Sequence, residues 1–195
     1  MKTSIVLLIL CLTTLSSSQT SIPKTMLLLK GGPAYYVYTT PGGIGGGPSG
    51  STWNFGPSIG IGLQFPRSET FSLVLMFDYS TYSYDPYPDI VVTGRPRARV
   101  YDLSISAMKV SGNAYAFAGL GLSHAHRDDV NYIFDGSQIF PGQISGGNET
   151  MPFVNLGFGM QFAISDIIKC FVQGNARLRS YSTFSPEAGV SYTLH

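Results

Sequence analysis

The chain has 195 residues, charge on only 12% of them and a net charge of +1. Soluble domains commonly devote about 25% of their residues to charge, so this composition points away from an ordinary aqueous surface. Near-neutrality also argues against nucleic acid as a partner, because a phosphate backbone calls for a basic stripe.

The opening segment, MKTSIVLLILCLTTLSSSQTS, sets Lys2 before an apolar run from Ile5 to Leu12, followed by Ser16, Ser17 and Ser18. This predicts a signal peptide over 1–18, too short and wrongly flanked to span a bilayer, and a single domain over 19–195. Cys11 raises the question of a lipid anchor, but Leu10 is large where a lipidation site wants a small residue. After cleavage Cys170 is the one cysteine left, so no internal disulfide is expected. It lies among apolar positions, where a thiol behaves as a small hydrophobe.

From residue 26 onward the dominant signal is alternation, the period of a strand with one apolar face. Lys30, Gly32, Ala34, Tyr36 and Tyr38 share the polar side of the first strand. In WNFGPSIGIGLQF, Phe55, Ile59, Ile61, Leu63 and Phe65 alternate with Asn54, Gly56, Ser58, Gly60, Gly62 and Gln64. Phe71, Leu73, Leu75, Phe77 and Tyr79 face Ser72, Val74, Met76, Asp78 and Ser80; Tyr101, Leu103, Ile105 and Ala107 face Asp102, Ser104, Ser106 and Met108. In AYAFAGLGLSHAH either parity can be apolar, with Ala116, Ala118, Leu120 and Leu122 the better set. FVNLGFGMQFAIS has Val154, Leu156, Phe158, Met160, Phe162 and Ile164 against Asn155, Gly157, Gly159 and Gln161. After Ser165-Asp166 the pattern resumes with Ile168, Cys170, Val172, Ala176 and Leu178, broken by Phe171, and it closes with Ala188, Val190, Tyr192 and Leu194. Eight strands are expected over 26–39, 53–65, 70–82, 98–110, 114–126, 151–164, 167–180 and 185–194.

Connections alternate in length. Short turns fall at 66–69, 111–113 and 165–166, and long loops at 40–52, 83–97 and 127–150. The expected fold is all-β, an eight-stranded antiparallel up-and-down transmembrane β-barrel with long loops at one end and tight turns at the other. Its polar parity is mostly Gly, Ser, Asn and Gln, sizes that suit a narrow lumen, whereas a soluble barrel needs charge on its outer face. The bulky parity is therefore expected to face lipid. Aromatic girdles are expected from Trp53, Phe55, Tyr79, Tyr101, Phe153 and Tyr181 at the loop end, and from Phe65, Phe71, Phe162 and Tyr192 at the turn end.

The stretches YAFAGLGLS, FVNLGFGMQFAIS with FVQGNARLRSY, and EAGVSYTL resemble the outer-membrane-protein beta-barrel domain family, the small OmpA/OmpX-type barrels of the porin family. The resemblance implies a multi-pass outer-membrane protein, contact with outer-membrane lipid, and insertion by the barrel-assembly machinery. That machinery usually reads a terminal aromatic residue; here the chain ends Leu194-His195, with Tyr192 the last aromatic. Members of that family are typically surface proteins, so the resemblance implies a monomer with a structural or surface-interaction role. Tyr84, Tyr87 and Tyr132 in the loops are candidate contact points.

Charges on the lumen parity are Lys30, Asp78, Asp102, Lys169, Arg177, Arg179 and Glu187, expected to pair and plug the barrel because buried ions need partners. The alternative is a small-solute pore that opens by exchanging those partners. His124, His126, Asp128 and Asp129 form the loop-edge group SHAHRDD; the histidines share a face, but no third metal ligand has a fixed spacing. A lipid-modifying enzyme would use His126 as base, yet Arg127 and Asp128 follow where a nucleophilic serine is wanted, and no G-x-S-x-G elbow exists. A soluble lipocalin-like carrier would turn the apolar parity inward. No catalytic residue, cofactor or metal is assigned, and GGIGGGPSG is a loop and not a nucleotide site.

Overall fold

The computed structural model describes residues 24–39, 51–83, 97–131, 143–144, 146–179 and 182–194. The leader over 1–18 with Cys11, most of the three long loops, and Tyr84, Tyr87, Tyr132 and Tyr181 lie outside the described residues, as does the side chain of Trp53.

Ten strands follow in order: β1 (Met26–Thr39), β2 (Ser51–Pro66), β3 (Phe71–Ser83), β4 (Arg97–Ser111), β5 (Ala114–Arg127), β6 (Val130–Asn131), β7 (Gln143–Ile144), β8 (Asn148–Ala163), β9 (Ile168–Leu178) and β10 (Ser182–Thr193). Eight of them close a barrel in the order β1-β10-β9-β8-β5-β4-β3-β2. Every neighbouring pair is antiparallel, as in an up-and-down meander. The remaining two, β6 and β7, pair with each other inside the third long loop. Two-residue strands are too short to display a period, so alternation gave no sign of them.

The tight turns sit together at one end. The amides of Arg67 and Ser68 both donate to the Phe71 carbonyl, and those of Ile164 and Ser165 to the Ile168 carbonyl. Between β4 and β5, Gly112 adopts φ 59°, a left-handed conformation that a side chain would resist. The termini of β1 and β10 share this end, with Met26 opposite Thr193.

The apolar parity points outward. Phe158 is 70% exposed, Leu120 65% and Phe55 64%, and the whole set from Val154 to Ile164 is exposed on its parity. Ser104, Ser106, Asn155 and Asn175 are buried inside. A monomer in water rarely exposes apolar patches beyond a few hundred Å²; this one wears a continuous belt. The soluble-carrier alternative needs the opposite orientation and disagrees with the structure. One girdle assignment is also corrected. Phe153 is buried in the lumen, because it shares parity with Asn155 and not with Val154.

Glycines and aromatics interlock inside the wall. Four inward rings each lie across from a glycine on the next strand: Tyr115 from Gly159, Phe117 from Gly157, Phe153 from Gly121, and Phe171 from Gly189. A Cβ on any of these glycines would run into the facing ring. The lumen is too narrow for two bulky side chains at one level, so each ring takes the space its partner lacks.

Candidate functional site in the barrel lumen

Three layers fill the lumen. Toward the loop end lies an apolar cluster of Ala34, Tyr36, Tyr82, Ala98, Val100, Ala125 and Met151. Tyr36 and Tyr82 stack with centroids 3.9 Å apart, and the Tyr36 hydroxyl is hydrogen-bonded to that of Ser80. Toward the turn end lies a second cluster of Leu28, Val74, Met76, Met108, Tyr115 and Phe171. Charges occupy the level between them.

Register explains how these charges meet. Gly60 on β2 lies between Lys30 on β1 and Asp78 on β3, and a Cβ there would strike both side chains. The missing side chain lets Lys30 Nζ reach Asp78 Oδ1 at 2.9 Å across an intervening strand. The same ammonium donates to Glu187 Oε2 at 2.8 Å. Asp78 and Asp102 sit directly opposite each other on β3 and β4, a pairing of like charges that is unfavourable alone. Arg177 resolves it from across the barrel, 2.9 Å from Asp78 Oδ2 and 3.5 Å from both Asp102 Oδ2 and Glu187 Oε1. Arg179 Nη1 donates to Asp102 Oδ1 at 2.8 Å, while its guanidinium carbon stands 5.6 Å from the centre of the Phe153 ring.

Lys30, Arg177 and Arg179 thus balance Asp78, Asp102 and Glu187, all with side chains at most 4% exposed. Such ions are tolerated in a low dielectric only when each is paired and hydrogen-bonded. Polar neighbours add hydrogen bonds to the network. Gln173 donates to Glu187 Oε2 at 2.7 Å and accepts from Tyr115 at 2.9 Å; Arg179 also donates to Thr183 at 2.8 Å and to Ser123. The structure therefore gathers six of the seven lumen charges named from the sequence. Lys169 stands apart at the turn end, half-buried, and makes no ion pair among the described residues. Alternation assigns a face but not a height, and Lys169 lies too far down β9.

Gln173, Tyr115, Ser123 and Thr183 were not singled out from the sequence. Their parity is inward, but neutral side chains on that parity are too common to stand out. Below the charges, a cavity of about 50 Å³ is lined by Lys30, Gln64, Asn155, Asn175, Met76 and Met108, among others. The side-chain oxygens of Asn155 and Asn175 have no protein partner among the described residues. A space of that size with amide groups on its mixed wall suits a few waters.

The loop-edge group is a separate place. Nδ1 of His124 is 2.9 Å from Thr150 Oγ1, and Nδ1 of His126 is 2.7 Å from Asn148 Oδ1. Asp128 lies 3.8 Å from His126 Nε2 and 3.6 Å from Arg99, and the Asp129 carboxylate accepts from the Gly146 amide. Among the described residues no three His, Cys, Asp or Glu side chains converge as metal ligands, and neither imidazole has serine as a partner.

No family model matches the chain, and no curated protein matches it. Solved structures do. The chain is similar to Ail, the attachment invasion locus protein of Yersinia pestis, at 9% identity and TM-score 0.55, covering 88% of this chain and 99% of that one. It is similar to Neisserial surface protein A at 14% identity and TM-score 0.51, covering 87% and 97%. Outer membrane protein OprG from Pseudomonas aeruginosa matches at 11% identity and TM-score 0.51, covering 92% and 100%. At such identities the likeness is one of fold: the chain has the fold of the small eight-stranded outer-membrane barrels.

Proposed function

We propose that this chain is an integral outer-membrane barrel, exported by its leader and inserted as a monomer, with a structural or surface-contact role carried by its loop end. The observation that supports it most is the wall: a closed sheet satisfies its own backbone and presents a continuous apolar belt, the combination a bilayer demands. Tyr192 on β10, outward and 41% exposed, is the aromatic that insertion machinery would read. Surface contact finds support in Ail, whose name records attachment and whose fold this chain shares. Among the described residues the buried charges are taken up in pairing one another, which favours the structural reading over an enzymatic one.

A small-solute pore is the second reading, favoured by the cavity of mixed polar and apolar lining in the turn-end half. The packed apolar cluster and the paired charges above it speak for a closed lumen. Two measurements decide. Fractionation with heat-dependent gel mobility should place a folded, heat-modifiable barrel in outer membranes; recovery from the periplasm without detergent contradicts the proposal. Planar-bilayer recording should show no steady conductance; a reproducible unit conductance establishes the pore instead.

A further inference from the structure

The outer wall is not uniform at its loop end. Arg97 and Arg99 on β4 and His124 and His126 on β5 take the outward parity there, with Arg99 directly opposite His126 and Tyr101 opposite His124. Among the described residues, the corresponding outward positions of other strands carry Tyr35, Phe55, Thr81 and Phe184. The cations are gathered on one side.

Their height is as telling as their side. Immediately toward the barrel middle, Tyr101 packs beside Tyr79, with ring centroids 5.2 Å apart, and below them Leu103 and Ile105 are half exposed. Going up the wall, the sequence is apolar belt, tyrosine pair, then arginine and histidine. In a bilayer that order runs from acyl chains through the interface to the level of headgroups. Asp128 is the counter-charge on this patch, but its contacts to Arg99 and His126, at 3.6 and 3.8 Å, are long and exposed. Such pairs hold their partners weakly. Among the described residues, the outward side chains here set two guanidiniums against the Asp128 carboxylate, while the Asp129 carboxylate is turned to the Gly146 amide. Hydrogen bonds to Thr150 and Asn148 fix the Nδ1 edges of both histidines, so that among the described residues Nε2 of His124 is left for another partner. By contrast, Arg127 is turned to the inner rim and paired with Glu149 at 2.9 Å.

We infer that this patch is a binding site for the phosphate of a lipid headgroup in the leaflet on the loop side. The inference rests on the reading of the chain as a membrane barrel. A guanidinium matches a phosphate with two parallel hydrogen bonds, and two of them one β-period apart, with imidazoles alongside, can hold one phosphomonoester laterally against the wall. A free anion would lack the acyl chains that lie along Tyr101, Leu103 and Ile105.

The full chain, folded into phosphatidylcholine nanodiscs, is titrated with lipid A and, in parallel, with dephosphorylated lipid A; bound lipid per barrel is counted by mass spectrometry. Lipid A is expected to be retained over its dephosphorylated form. The pair Arg97→Gln and Arg99→Gln is expected to weaken retention about thirtyfold, while Lys109→Gln at the turn end leaves it unchanged. Equal retention of both lipids, or full retention by the arginine variant, overturns the site. Displacement by inorganic phosphate overturns its assignment to lipid. Insertion is scored on the same discs by heat-dependent mobility. A barrel that never enters them contradicts the membrane reading itself, whereas an inserted barrel indifferent to phosphate contradicts only the site.

Discussion

Arg177 is the residue on which the lumen turns. It is 1% exposed and lies within 3.5 Å of three carboxylates contributed by three different strands. Removing one partner from a buried ion network leaves the others uncompensated, at a cost of about 3–5 kcal/mol. Arg177→Ala should therefore lower stability by about that much in urea unfolding from lipid vesicles, followed by gel mobility. Lys169→Ala, which breaks no ion pair seen here, should stay within about 0.5 kcal/mol of the parent. Equal effects from the two would mean that the network does not hold the barrel. The same scale governs the interlocked rings: Gly157→Ala pushes a methyl into Phe117 and should destabilise by about 1–3 kcal/mol, as overpacking does. Thermal shift or urea midpoint of the folded band measures it.

At the scale of elements, the closing seam between β1 and β10 is the barrel ladder whose register is interrupted. Register runs from Met26 to Gly31 and resumes at Tyr35, leaving Gly32, Pro33 and Ala34 without partners on β10. Pro33 and Pro186 both lie in this gap, and neither has an amide to donate. There Gly32 passes so close to the Pro186 carbonyl that a Cβ would collide with backbone. Gly32→Ala is therefore expected to open the seam, seen as faster amide exchange of Leu29–Gly31 and Val190 relative to β3 and β4. Exchange unchanged along the seam would show that the gap is already relaxed. The strands themselves were legible in the sequence, because apolar residues at every second position mark both strand and face. Limits set by alternation fall within a few residues of β3, β4 and β5, while β8 begins at Asn148, earlier than expected, since its pairing with His126 continues through polar residues. Contacts within the site were only half legible. Parity put Asp78, Arg177 and Glu187 on one side, but which of them meet depends on register and barrel stagger, which no single strand records. Position near a strand end suggests an outer girdle for Phe153, but its parity points in, and parity decides.

For the whole molecule, one arrangement accounts for the composition. A chain poor in charge and ordinary in hydrophobic content can cover its outside with apolar side chains only if its polar ones are turned inward and satisfied there. That places oily wall against acyl chains and paired ions against each other. A charge introduced at the middle of the wall should be correspondingly costly: Phe158→Arg is expected to destabilise the inserted barrel by about 2–4 kcal/mol, measured by its urea midpoint in vesicles. The most direct test of the orientation uses tryptophan as a reporter in a Trp53→Phe background. Phe158→Trp and Phe153→Trp are folded separately into vesicles whose acyl chains carry bromine. The account predicts strong quenching of the fluorophore at 158 and little at 153. Quenching at 153 with none at 158 would contradict it.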